Sequence, residues 1–225
     1  MKHFFDPTND VLRLMEARHS VRNYTPEAIT KPQLEKLQAC IDACNEESGL
    51  NIFLVTNEPK AFSNFAARYG HFTGVSNYLV LAGPDSADLE EKCGYYGEEL
   101  VLLAQEMGLN TCWVALTHGK SKAAVGRGEK EVCLIALGYG VTQGVEHKSR
   151  PMQELCTCGE PMPEWFRCGM NAAMLAPTAM NQQKFRFELL PDGMVKAACG
   201  SGFYTKLDLG IVKYHFEAVT GKKTV

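Results

Sequence analysis

Arg18-His19-Ser20-Val21-Arg22 places two guanidiniums and a hydroxyl within five residues. Planar guanidinium forks and an O–H donor converging on one point suit a phosphate, through bidentate, charge-assisted hydrogen bonds. The same stretch also reads as a solvated helix terminus, with cations near the negative end of the dipole. A second cationic stretch, Lys148-Ser149-Arg150-Pro151, follows the apolar run VCLIALG and its exit. It is either a solvated turn or the other half of an anion clamp. A third stretch, Ala176-Pro177-Thr178-Ala179-Met180-Asn181-Gln182-Gln183, gathers small and amide side chains. Its backbone groups, the Thr178 hydroxyl and the Asn181 amide suit a flat polar ligand. Pro177 and Asn181 equally suit a helix-ending turn.

The nine cysteines are scattered, several of them inside apolar runs such as TCWVAL and VCLIALG. An odd count and a chain long enough for a full core argue against a disulfide framework. They read as free thiols behaving as small hydrophobes. Cys156, Cys158 and Cys168 form the one local cluster, without a second pair at zinc-ribbon spacing, so no metal is expected.

These residues need elements to position them. Val11, Leu12, Met15 and Val21 predict a helix over 8–22, with the arginine stretch at its end. Thr30 is a natural N-cap, with Pro32 tolerated in the first turn of a helix carrying Leu34, Leu37, Cys40, Ile41 and Cys44. Strands are predicted at 51–56 and 78–82. A long helix over 89–107 with one buried stripe closes on Gly108 as a left-handed cap. Strands at 111–115 and 132–137 follow. The second half offers a helix at 164–176, strands at 185–190 and 194–198, and a helix at 207–219 ending at Gly221. YYGEELVLLAQEMG lines up loosely with LDLGIVKYHFEAVTG, which suggests an internal repeat. Strands and helices without a steady βαβ rhythm point to an α+β fold.

With 225 residues, 45% apolar and 22% charged, the chain has the proportions of a globular protein. A net charge of −3 excludes a general basic footprint for nucleic acid. No apolar run approaches the roughly 20 residues that cross a bilayer. The opening MKHFFDPTND has no extended apolar region, which predicts no signal peptide and a cytoplasmic protein.

Together the three stretches resemble the FMN-dependent nitroreductase superfamily. Arg18, Ser20 and Arg22 match its Arg-x-Ser-x-Arg/Lys helix. Pro177, Thr178, Asn181 and Gln183 match its Pro-Ser-x-x-Asn-x-Gln segment. Gly108-Leu109 matches the end of its central helix, and Lys148 and Arg150 match a Lys-x-Arg that follows Leu137-Gly138-Tyr139. In most members the Pro-Ser-x-x-Asn segment comes soon after the arginines. Here Cys44-Asn-Glu-Glu-Ser-Gly stands in that place and the segment lies far downstream, with Lys184 and Phe185 replacing the family's Pro-Trp. In the family that segment reaches the flavin from the partner subunit of a homodimer. The chain therefore resembles a single-chain pseudo-dimer: residues 1–150 carry the phosphate motifs, residues 151–225 the partner-type motif, and together they make one functional domain.

The resemblance implies an α+β, nitroreductase-like fold with a central, mostly antiparallel sheet flanked by helices. It implies FMN, with Arg18, Ser20, Lys148 and Arg150 at its phosphate, the His19 backbone nearby and Arg22 at the pyrimidine edge. A cation there stabilises the charge that develops on reduction. The backbone of Ala115 and Leu116 would pass N5, Pro177, Thr178, Ala179 and Asn181 would cover the ring, and Arg68-Tyr69-Gly70 would add a contact. No side-chain acid, base or nucleophile is required. The implied reaction takes hydride from NADH or NADPH, without a Gly-x-Gly-x-x-Gly fingerprint, to a small electron-poor nitroaromatic or quinone. Dehalogenation, flavin destruction and flavin storage remain open, as does the choice between monomer and homodimer.

Overall fold

In the computed structural model, which describes residues 4, 5, 10–123 and 125–225, the Asp10 side chain caps helix α1 (Val11–Ala17) by accepting from the Leu12 N–H at 3.0 Å. This helix is shorter than the predicted 8–22. Thr8 and Asn9 lie outside the described residues, and beyond Arg18 the chain is extended. The cause is a competing partner: the Val21 N–H bonds to the Thr111 carbonyl at 3.0 Å, a bond that a continued helix would forfeit. Thr30 then opens α2 (Lys31–Ser48), with the Gln33 side chain folded back onto the Thr30 N–H at 2.9 Å.

Strands β1 (Asn51–Val55) and β2 (Asn77–Pro84) flank a short helix α3 (Phe65–Tyr69), which the sequence reading lacks. The central helix α4 (Leu89–Glu106) leads past Gly108, at φ +76°, into β3 (Asn110–Val114) and β4 (Glu129–Gly138). These strands form an antiparallel sheet in the order β1-β2-β4-β3. Both faces of the sheet are covered. Leu79 and Leu81 of β2 join Ile41, Leu100 and Leu103 on one side. Tyr78 and Val80 join Phe62, Phe72 and Val114 on the other. That is why β2 reads as an unbroken apolar run rather than an alternating one.

The remaining elements are α5 (Met152–Leu155), β5 (Cys156–Thr157), α6 (Glu164–Leu175), β6 (Phe185–Leu189), β7 (Val195–Cys199) and α7 (Thr205–Thr220). β5, β6 and β7 make a second sheet, parallel at β5–β6 and antiparallel at β6–β7. Its core, built on Phe166, Phe187 and Phe216, is distinct from that of the first sheet. Helices α4 and α7, the two stretches that suggested a repeat, pack directly on one another. A Cβ on Gly94 would fall on the Leu207 carbonyl, and one on Gly210 on the Glu91 carbonyl. Only glycine permits so close an approach. Because α7 covers the side that α2 and the first sheet leave free, Leu100–Ala104 are without exposure. Thus α4 is buried all round rather than along one stripe, and each leucine contributes about 1.5–3 kcal/mol. No described helix is long and apolar enough to cross a membrane.

Candidate functional site

After α1 the extended segment 18–24 lies along the free edge of β3, with Ser20 bridged to Thr111. Successive side chains therefore alternate: Val21 is buried, and Arg22 is exposed, its guanidinium 5.9 Å from the centre of the Phe72 ring. Arg18 turns inward and keeps 3% exposure. Its Nε stands 3.8 Å from Glu98 Oε1, and among the described residues it is the buried side-chain N or O atom that has no hydrogen-bond partner. Burial pushes the Arg18 pKa down, against the raising effect of Glu98. The Cys112 thiol shows what converges here. Burial pushes it up, while Arg22, the Ser20 hydroxyl and Arg18 act in the opposite sense.

Glu98, on α4, is wholly buried and joins several elements. It accepts from Trp113 Nε1 at 3.1 Å and lies 2.9 Å from His215 Nε2. His215 Nδ1 lies 2.9 Å from the Ala172 carbonyl. A carbonyl only accepts, so Nδ1 carries a proton, and Glu98 and Nε2 must share one more.

The loop after β4 runs beside the arginine segment: the Val141 N–H bonds to Asn23 O at 2.9 Å and the Gly140 N–H to Asn110 Oδ1 at 2.9 Å. It then reaches the second half. His147 Nε2 lies 3.1 Å from Met174 O, and burial pushes this imidazole's pKa down. The Lys148 carbonyl accepts from Asn181 Nδ2 at 2.9 Å and Gln183 Nε2 at 2.7 Å. The Arg150 N–H donates to Gln183 Oε1 at 2.8 Å. So the second and third candidate stretches meet, and Gln183, 3% exposed, is the residue that fastens them.

The turn at 178–183 is held from within and from α7. Thr178 Oγ1 accepts from the Gln183 N–H at 3.1 Å, and Asp208 accepts from the Ala179 N–H at 2.8 Å and Gln182 Nε2 at 2.7 Å. Burial raises the Asp208 pKa to about 6, against those two hydrogen bonds. Met180, Asn181 and Gln183 have φ of +52°, +53° and +46°. The left-handed region costs a non-glycine residue roughly 1 kcal/mol or more, and such strain collects at ligand sites. Gln182 Nε2 continues to Phe203 O at 2.9 Å, and the Tyr204 hydroxyl to Ala115 O at 3.4 Å. Ala115 directly follows β3, where Ser20 pairs, so a closed circuit of contacts runs through 20, 111–115, 204, 203, 182–183, 148–150, 140–141 and 23.

The candidate residues occupy this circuit unequally. Arg18 is buried beside it, next to Glu98. Lys148 and Arg22 are exposed and form no ion pair among the described residues. His19 and Ser20 are half-buried on the extended segment, and Pro177, Thr178 and Ala179 are half-buried in the turn. Arg150 turns away, its guanidinium held by Glu154 at 3.0 and 2.6 Å on an exposed surface. Asn181 is spent on holding the loop. Leu116 is 72% exposed beside Ala115, and Gly70 packs on the Thr117 side chain. Cys156, Cys158 and Cys168 do not gather at ligating distance among the described residues. Sequence reading missed Glu98, His215, Asp208 and Tyr204, and quoted Gln183 as a motif match without a role. The one local signal was the pair Glu98-Glu99 directly before the apolar run Leu100–Ala104.

The fold is nitroreductase-like. A family model described as "Putative TM nitroreductase" matches residues 10–220, and the chain belongs to this nitroreductase family. Among solved structures, a "putative nitroreductase" from Thermotoga maritima aligns with a TM-score of 0.70 at 19% identity, covering 99% of this chain and 90% of that one. A nitroreductase so described from Desulfovibrio desulfuricans, in complex with FMN, gives 0.54 at 20% identity, over 69% of this chain and 99% of its own. A NADH dehydrogenase/NAD(P)H nitroreductase, by its description, from Bacteroides thetaiotaomicron gives 0.51 at 18%, over 65% and 96%. At these identities the likeness is one of fold. No curated protein matches the chain.

Proposed function

We propose that the protein is an FMN-dependent oxidoreductase that takes hydride from NADH or NADPH and delivers it to a small electron-poor acceptor of nitroaromatic or quinone type. The observation that carries this reading is Arg18: a buried guanidinium beside the contact circuit whose Nε has no hydrogen-bond partner. Leaving a buried charged donor unsatisfied is costly. A phosphate would satisfy it, and Ser20, Lys148 and Arg150 stand on the same circuit, with the His19 backbone beside them. Arg150 would have to exchange Glu154 for the phosphate, which is feasible because an exposed pair of this kind is worth under about 1 kcal/mol.

FMN, when bound, supplies the hydride chemistry. The chain's own residues bind and orient. Arg22 would offer a cation to the pyrimidine edge, the backbone of Ala115 and Leu116 would lie at N5, and Pro177, Thr178, Ala179 and Asn181 would cover the ring. In this reading one chain completes the site, residues 1–150 supplying the phosphate side and 151–225 the cover. The similarly folded structures from D. desulfuricans and B. thetaiotaomicron support this: nearly their whole length maps onto about two thirds of this chain. All nine cysteines are free, which fits a reducing cytoplasm.

Steady-state oxidation of NADH and of NADPH with nitroaromatic and quinone acceptors tests the activity. Turnover dependent on acceptor is expected; negligible turnover with bound flavin would favour storage, and turnover only with halogenated substrates a dehalogenase. Mixing an Arg18→Ala chain with an Asn181→Ala chain tests the single-chain site. No recovery of tight FMN binding is expected, and recovery would place the site between two chains.

A further inference from the structure

Between α2 and α4 the fold brings together a set of metal-ligating groups that the flavin chemistry does not use. Cys40 and Cys44 stand one helical turn apart on α2, so both side chains lie on one face. Glu99 of α4 meets them. Their Sγ and carboxylate oxygen atoms all lie within 4.8 Å of one another. Exposure is 0% for Cys40 and 4% for both Cys44 and Glu99. The surroundings are apolar, with Leu37, Ile41, Leu100 and Leu103 in the same cluster.

We propose that Cys40, Cys44 and Glu99 form a binding site for a thiophilic divalent cation, Zn²⁺ in the first place, that clamps α2 to the central helix. Burying a carboxyl is costly without a strong partner. Here the hydrogen bond offered to Glu99 is a 4.0 Å contact from the Cys44 thiol. A cation would compensate it far better. Two thiolates exclude Ca²⁺ and Mg²⁺, which take oxygen ligands, while a carboxylate third donor favours Zn²⁺ over Cu⁺. Zinc sites with three protein ligands keep a fourth position for water. A cavity of about 340 Å³, lined by acids and lysines alike, includes Glu47 and Tyr96 in its wall. Glu47 and Tyr96 bond to each other at 3.3 Å, Glu47 acts on Glu99, and Cys44 acts on Tyr96.

Binding of Zn²⁺ forms two Zn–S bonds and one Zn–O bond and breaks the S–H bonds of Cys40 and Cys44, whose protons pass to solvent, because a thiol ligates as its thiolate.

The test counts metal retained by the intact flavoprotein after dialysis against buffered Zn²⁺, with Co²⁺ difference absorption reporting thiolate ligation. One Zn²⁺ per chain and a thiolate-to-cobalt band are expected. The Cys40→Ser/Cys44→Ser variant should lose both. Glu99→Gln should bind at least about tenfold more weakly. Should the cysteine variant fail to fold, Glu99→Gln alone decides, and wild-type affinity in it would overturn the proposal. So would wild-type protein that binds no more metal than the cysteine variant, a band lost in Cys156→Ser instead, or a Cys40–Cys44 disulfide in protein purified without reductant.

Discussion

His215 and Glu98, both without solvent exposure, meet at 2.9 Å in the seam where α7 packs on α4. The same carboxylate holds the Trp113 indole and faces Arg18. One buried anion thus connects the second half of the chain, the strand leading to Ala115 and the arginine that the phosphate reading requires.

Removing that carboxyl leaves His215, the Trp113 indole and Arg18 without their shared buried partner. Glu98→Ala should lower stability by about 3–5 kcal/mol, read from urea unfolding at neutral pH. Glu98→Gln, which still accepts from Trp113, should cost less. An unchanged midpoint for Glu98→Ala would contradict this account of the seam.

Arg18→Ala should weaken FMN binding by about ten- to a hundredfold, since a charge-assisted bond to phosphate is worth roughly 1.5–3 kcal/mol. Fluorescence titration of the flavin-free protein measures this. Wild-type affinity would mean that Arg18 serves Glu98 alone.

Glu154 competes with phosphate for Arg150. Glu154→Gln should therefore tighten FMN binding a fewfold at low salt, with almost no change in melting temperature because the pair is exposed. Weaker binding in this variant would remove Arg150 from the phosphate site.

Gln183 fastens the 148–150 loop to the turn by two hydrogen bonds, to Lys148 O and the Arg150 N–H, and is itself held within the turn by Asn181 Oδ1. Gln183→Ala should cost about 1–3 kcal/mol through the unsatisfied loop groups and weaken FMN binding as well. Flavin affinity equal to wild type, in a variant shown to be destabilised, would separate this turn from the site.

Asp208 gives a pH dependence with a defined sign. Its pKa is raised from 3.8 to about 6 in the folded protein, so between these values the folded state holds more protons than the unfolded one. Stability from this group is complete below about pH 4 and is lost as pH rises through about 6. The loss is about 3 kcal/mol for a shift of this size. Asp208→Asn lacks this titration, so its stability relative to wild type should climb by about that amount between pH 4 and pH 7. Urea unfolding of both proteins at the two pH values checks it, and a flat difference would contradict it.

Local signals in the sequence were reliable where a single residue dictates backbone geometry. Gly108 and Gly221 end their helices in the left-handed region, and Thr30 with Gln33 starts α2, as their types require. The arginine, lysine and amide stretches stood out because residues suited to an anion or a flat polar ligand recur there at short spacing, and the structure joins the second stretch to the third through Gln183. Long-range partners left no such mark. Glu98 and His215 stand 117 positions apart, and each alone reads as an ordinary polar residue on an amphipathic helix. The end of α1 at Arg18 was hidden because the competing partner, Thr111, lies on a distant strand. The burial of α4 on every side was hidden because it depends on α7, whose approach needs Gly94 and Gly210 to meet. Strand β5, of two residues, carries no periodicity at all.

The central claim is that this chain holds one FMN and reduces it with a nicotinamide nucleotide. Release of the cofactor from purified protein by denaturation, its chromatographic identification and its ratio to protein, followed by anaerobic addition of NADH or NADPH to the intact protein, test this directly. The account predicts FMN at one per chain and bleaching of the flavin absorbance by at least one of the two donors. Recovery of FAD, the absence of flavin even after reconstitution with FMN, or a bound flavin that neither donor bleaches would contradict it.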